Sequence, residues 1–327
     1  MLSRLQRWIT IALVSLTAGL VAFSWALGWG WSGLIAAACV VPVGYALALA
    51  LEFMLMHAVN AADPAPRARA GQVLRAWAGE VASGPIVFGW RQPWRSARWP
   101  DRYQRHEIHA VSPGPAPGQD SMPRPDALHS AAKPRRGVLL VHGFVCSRGI
   151  WNPWLRRLDA AGVPFIALDL EPVFGSIDAY LPTIEQGVRS LEGATGVAPV
   201  VVAHSMGGIA VRRWWAQIDH GPRIHHLITI GTPHFGTWLA RWAFTENGHQ
   251  MRRHGPWLAA LQALEASNEP ARASRVTCFY GNCDNIVFPA STATLPGADN
   301  RHLEAVAHVR MADRSEPFET LQARLGE

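Results

Sequence analysis

Lysine is almost absent from this chain: of 30 basic residues 29 are Arg, and Lys133 is the one exception. The skew reads as genomic codon bias. The arginines are scattered singly or in pairs (Arg135-Arg136, Arg156-Arg157, Arg212-Arg213, Arg252-Arg253), so the formal charge of +6 forms no basic stripe and does not point to nucleic acid. Cysteine is scarce too. The four (Cys39, Cys146, Cys278, Cys283) include one inside an apolar run, and Cys278 and Cys283 lack both ligand spacing and a second pair. A disulfide framework and a zinc site are thereby excluded; free thiols are expected, in keeping with a reducing compartment. Charge of either sign is missing from Trp8 to Leu51, a run of 44 residues bounded by Arg4, Arg7 and Glu52. Charged residues make up 17% of the chain, against about 25% in ordinary soluble proteins. Disordered, collagen-like and coiled-coil readings fall with that composition.

The uncharged run is too long for one bilayer crossing and suits two, since a hydrocarbon core takes roughly 20 helical residues. Gly28-Trp29-Gly30-Trp31-Ser32-Gly33 supplies helix-poor glycines and interfacial tryptophans, which predicts spans at 8–27 and 34–56 joined by a turn at the far interface. A cleavable signal peptide is the rival reading, but its apolar part would be too long and a second apolar run follows directly. Residues 1–62 are therefore expected to form a membrane anchor. Arg4 and Arg7 precede the first span and Arg67, Arg69 and Arg75 follow the second, while the turn carries no charge. The positive-inside rule then places both flanks, and the domain that follows, in the cytoplasm of a bacterial inner membrane. The opposing reading has only the first run crossing, which would put the domain outside.

Residues 63–111 are expected to hold an amphipathic helix near 67–82 and a strand from Tyr103 to Val111. Between them Trp90, Trp94 and Trp99 alternate with Arg91, Arg95 and Arg98, a mixture that suits lipid headgroups and equally suits packing on the catalytic domain. Residues 112–134 hold six prolines and two glycines and read as a loop or linker. From 135 to 327 short apolar runs alternate with helix-length segments, the mark of a mostly parallel α/β sheet with helices on both faces. Strands are predicted at Gly137–His142, Val163–Asp169, Pro199–His204, His226–Ile230, Val276–Gly281 and His302–Val306, with helices near 150–161, 177–193, 206–218, 256–266 and 314–325.

The most informative segment is Val200-Val201-Val202-Ala203-His204-Ser205-Met206-Gly207-Gly208, a buried strand that breaks into a helix with a serine at the break. Such a turn lifts the hydroxyl clear of the sheet and demands small residues two positions either side, which Ala203 and Gly207 supply. A serine needs oxyanion donors and a base held by a carboxylate. Val141-His142-Gly143-Phe144 ends another strand, so the N–H groups of Phe144 and Met206 are the candidate donors, with His142 and Gly143 supporting the turn and His204 completing the elbow. The acid and base follow the serine in chains of this type. Asp284, just after the strand Val276–Gly281, is better placed than Asp299 or Glu304. His308, beyond the expected end of the last strand, is better placed than His302.

These segments, with the run Ile230-Gly231-Thr232-Pro233-His234-Phe235-Gly236-Thr237, make the chain from about 136 to 312 resemble the bacterial lipases and esterases of the α/β-hydrolase superfamily. The resemblance implies a Ser205, Asp284, His308 triad and a helical cap or lid inserted after Thr232-Pro233-His234, expected around 235–266. Secreted lipases of this type often hold calcium through an acid two positions beyond the catalytic histidine; Arg310 stands there, so no calcium is expected, nor any other metal or cofactor. Phe235, Trp238, Leu239, Trp242 and Phe244 follow helical spacing and read either as an apolar lid or as a core helix. The lid reading implies a lipid or other ester substrate with medium or long acyl chains. An acyltransferase or thioesterase would use the same groups, and a non-catalytic membrane scaffold would need none of them. The sequence points to no partner protein.

Overall fold

The computed structural model describes residues 1–103, 135–218, 223–266 and 272–327. The expected strand beyond Tyr103 and the Pro-rich 112–134 segment lie outside them. Helix α1 (Leu2–Ala26) and helix α2 (Gly30–Val59) pack side by side as a hairpin. The turn between them is tighter than expected, because Gly28 and Gly30 both take positive φ (71° and 58°) and reverse the chain within three residues. Their mean hydropathies reach 1.9 and 2.3, and little of either helix is covered by the rest of the chain. Apart from Ser24 and Ala37, the buried positions gather at the ends that meet the α/β domain: Leu2 and Gln6 on α1, Leu49, Phe53 and Met56 on α2. Helix α3 (Ala70–Gly84) starts a little later than its sequence pattern predicts and runs on through a wide turn at Pro85–Arg91 into helix α4 (Gln92–Arg95).

Six strands follow: β1 (Val138–Val141), β2 (Phe165–Ala167), β3 (Val200–His204), β4 (His226–Ile230), β5 (Val276–Gly281) and β6 (Asp299–Leu303). All pair in parallel, in the order β2-β1-β3-β4-β5-β6. Strand alternation sends Leu139, Val141, Val201, Ala203 and Leu227 to one face, where they pack with α6 (Leu181–Thr195), α7 (Met206–Ala216) and α9 (Pro256–Glu265). Val138, Leu140, Val200, Val202 and Ile228 go to the other, against α5 (Asn152–Ala160) and the C-terminal helix Ser315–Gly326. This is the doubly covered sheet the sequence predicts, and the loops at its carboxyl edge hold the candidate site residues.

Both edge strands depart from expectation: β2 keeps only Phe165–Ala167 of the expected Val163–Asp169, and β6 is displaced. β6 ends at Leu303 rather than running from His302 to Val306. It is an edge strand, paired with β5 alone, so its exposed Asp299, Asn300 and Arg301 need no apolar run. The apolar Val306-Ala307 pair instead packs inward as the chain turns at Ala305, whose φ is 57°.

Candidate active site

Ser205 sits between β3 and α7 with φ 55° and ψ −132°, a conformation that costs on the order of 1–3 kcal/mol for a residue with a Cβ. The elbow is held by its N–H, which donates to the Ile230 carbonyl at 2.8 Å, and by absent side chains. A Cβ on Gly207 would lie 2.4 Å from the His142 carbonyl oxygen, and one on Gly143 would lie 2.5 Å from the Ser205 Cβ. Close approach of two backbone segments thus fixes where the hydroxyl stands. The Met206 N–H opens α7 and has no intrahelical acceptor. Phe144 lies on the facing loop beside Gly143, its ring edge-on to Phe174 at 5.9 Å.

His308 opens the short helix His308–Met311. Its Nδ1 pairs with Asp284 Oδ2 at 2.9 Å, both side chains being buried. The Asp284 Oδ1 accepts the N–H groups of Ile286 (2.9 Å) and Val287 (2.8 Å), so the carboxylate cannot swing away. Burial alone would lower the His308 pKa, but the neighbouring carboxylate of Asp284, with Glu80 and Glu52 behind it, raises it above the ordinary histidine value. The imidazole stands beside Gly231, whose added Cβ would lie 3.1 Å from both the His308 Cε1 and Asp284 Oδ2. Gly231 directly follows the Ile230 that holds Ser205. Among the described residues the Ser205 hydroxyl makes no hydrogen bond.

The other histidines of the site are structural. His142 is buried; its Nδ1–H donates to the Gly143 carbonyl (2.9 Å) and its Nε2 accepts the Leu170 N–H (3.0 Å), tying the Phe144 loop to the exit of β2. Burial holds its pKa below the ordinary value. His204 donates from Nε2 to the His308 carbonyl at 3.2 Å, and its ring lies 4.6 Å from that of His308. Burial first, then the His308 charge, push its pKa well down, so it stays neutral. His234 is buried between Arg212 Nη1 at 3.3 Å and Thr229 Oγ1 at 3.1 Å.

The aromatic run does not form the single helical face its spacing suggests. Trp238–Trp242 is one short 3₁₀ turn, and the side chains diverge. Phe235 packs into the sheet core. Trp238 and Leu239 pack with Phe53, Met56 and Phe288, while Trp242 and Phe244 face outward at 57% and 91% exposure. The turn is followed by α8 (Glu246–Gln250) and by α9, whose Leu258 and Leu261 are buried in the core of the sheet face. Arg310 packs across α3, where a Cβ on Gly79 would collide with its guanidinium.

Sequence reasoning missed Glu52, Glu80 and Asn285. Glu52 was visible as the charge that ends the apolar run; Glu80 and Asn285 carry no signal outside the folded chain.

A family profile described as the alpha/beta hydrolase family matches residues 138–324, and the chain belongs to that family. A search of curated proteins finds no match. Among solved structures the mature form of the Bacillus licheniformis lipase BlEst2 superposes with a TM-score of 0.51 at 18% identity, over 63% of this chain and 96% of that one. The propeptide form of the same lipase gives 0.51 at 18% identity over 59% and 51%. Aspergillus fumigatus lipase B gives 0.46 at 16% identity over 70% and 67%. At 18% identity the likeness to the Bacillus lipase speaks for the fold alone.

Proposed function

We propose that the chain is a membrane-anchored serine hydrolase that cleaves carboxylic esters of apolar acyl chains. The observation that carries this reading is the strained Ser205 elbow, held by Ile230, together with a buried His308–Asp284 pair 2.9 Å apart beside the adjoining Gly231. His308 takes the Ser205 proton as the oxygen attacks the ester carbonyl, and the N–H groups of Phe144 and Met206 stabilise the oxyanion. The imidazolium, oriented and stabilised by Asp284, returns that proton to the leaving alcohol. Water then attacks the acyl-enzyme by the same steps, freeing the acid and restoring Ser205. Phe174, 45% exposed and edge-on to Phe144, offers apolar surface beside the proposed oxyanion donor, which suits medium or long acyl chains better than acetyl.

The anchor reading rests on two long apolar helices whose uncovered surface has no partner within the described residues. Their basic flanks favour a bacterial inner membrane with the catalytic domain in the cytoplasm. The purified full-length protein in detergent should hydrolyse p-nitrophenyl octanoate faster than the acetate, and a fluorophosphonate should label it. Ser205→Ala should abolish both while leaving the thermal unfolding midpoint near that of the parent. A Ser205→Ala protein that keeps its full rate would remove the serine from the mechanism.

A further inference from the structure

The base is carried by a helix of one turn, His308–Met311, whose N-cap, Ala307, offers no side-chain acceptor. Its first N–H groups have no intrahelical acceptor and need partners from elsewhere. Both partners trace to the N-terminal helices. The Val309 N–H donates to Glu80 Oε1 of α3 at 3.3 Å. The His308 N–H donates to Asn285 Oδ1 at 3.3 Å, and Asn285 Nδ2 in turn donates to Glu52 Oε2 of α2 at 2.7 Å. Glu80 and Asn285 are buried, at 3% and 1% exposure. The second oxygen of Glu80, Oε2, has no hydrogen-bond partner among the described residues. A buried carboxylate is expensive to keep, and a glutamine or an apolar side chain would fill the same space without that cost.

We propose that Glu80 and Glu52 are positioning residues for His308, so that the anchor region of the chain forms part of the support of the active site. This inference rests on the proposed Ser205–His308–Asp284 chemistry. Each carboxylate acts in two ways. It fixes the backbone from which the imidazole projects, and it adds negative charge close to His308. The charged and titratable groups facing His308 are Asp284 from the loop after β5, Glu80 from α3, Glu52 from α2 and His204 from β3, with Arg310 on the same short helix. Burial is the main cause that pushes Glu80 itself up to about 7, opposed by the His308 charge and the Val309 N–H.

The test uses full-length protein in detergent, with p-nitrophenyl octanoate and a fluorophosphonate as probes. Glu80→Gln keeps an acceptor for the Val309 N–H and removes the charge; the acid limb of kcat/KM should move to lower pH, with kcat reduced several-fold and KM nearly unchanged. Glu80→Ala also loses the acceptor, and kcat should fall ten-fold or more. The ranking parent above Gln above Ala distinguishes positioning from mere packing, which would leave the pH limb in place. If Glu80→Ala does not fold, Glu80→Gln decides alone. A folded Glu80→Gln protein with the parental kcat and pH limb overturns the proposal while Ser205→Ala remains inactive. If Ser205→Ala is active, it is the triad reading that fails.

Discussion

At the scale of single residues the site is a set of assigned protonation states. His142, His204 and His234 are each buried and held neutral, which leaves His308 as the one site histidine whose pKa is raised. Because the base must be neutral to take the serine proton, the rate should fall with acid along a limb above the ordinary histidine value. Asp284→Asn should move that limb down and cut kcat by about 10³-fold or more, read from a pH–rate profile. Stability has the matching sign: protonation of His308 stabilises the fold below its unfolded pKa, and the contribution fades as pH rises through the higher folded value. A second expectation concerns shape. Gly207→Ala forces a methyl to within 2.4 Å of a backbone oxygen, and should lower both activity and stability, the latter by about 1–3 kcal/mol in a denaturant titration. The Ser205 elbow and the Asp284–His308 pair were legible in the sequence because a strand-to-helix break and the ends of strands mark where exposed polar groups can stand. Glu80 was not, since a lone Glu on an amphipathic helix looks like any solvated charge until tertiary packing turns it inward.

The elements show why some boundaries were legible and others were not. β1, β3, β4 and β5 are interior strands, and their apolar runs match their ends to within a residue or so. β6 lies at the edge and α3 is half covered, so pattern alone placed them two or three residues off. The cap failed differently. Phe235, Trp238, Leu239 and Trp242 have helical spacing, yet Gly236 at φ 82° and the Thr237 bridge to Arg252 bend the chain before any helix can nucleate. What ties this region down is polar: Arg212 of α7, at 5% exposure, pairs through Nη2 with Glu265 Oε2 of α9 at 2.5 Å and donates from Nη1 to the His234 carbonyl at 3.1 Å. Glu265→Ala would leave a buried guanidinium half satisfied. It should cost about 3 kcal/mol or more, and calorimetry of the variant against the parent would measure it. An unchanged midpoint would mean that this region is held by its apolar contacts alone.

For the whole molecule, the beginning of α1 and the end of α2 both meet the carboxyl edge of the sheet. Gln6 Nε2 donates to the Val145 carbonyl at 3.2 Å, one residue past Phe144, and Glu52 reaches Asn285, one residue past Asp284. The hairpin thus grips the oxyanion loop with one leg and the acid loop with the other. The apolar cluster of Phe53, Met56, Cys283, Phe288 and Ala307 fills the ground between anchor and domain. In the proposed anchor both legs emerge on one side of the bilayer. Arg4 and Arg7 at one leg and Arg67, Arg69 and Arg75 beyond the other lie on that same side, and the proposed cytoplasmic orientation rests on the rule that basic flanks stay in the cytoplasm. Alkaline phosphatase needs an oxidising compartment for its disulfides, so its fusion after Glu327 should be inactive in a bacterial host, whereas a green fluorescent protein fused at the same place should glow. The reverse pair of results would put the catalytic domain outside the membrane and require one of the two apolar helices not to cross.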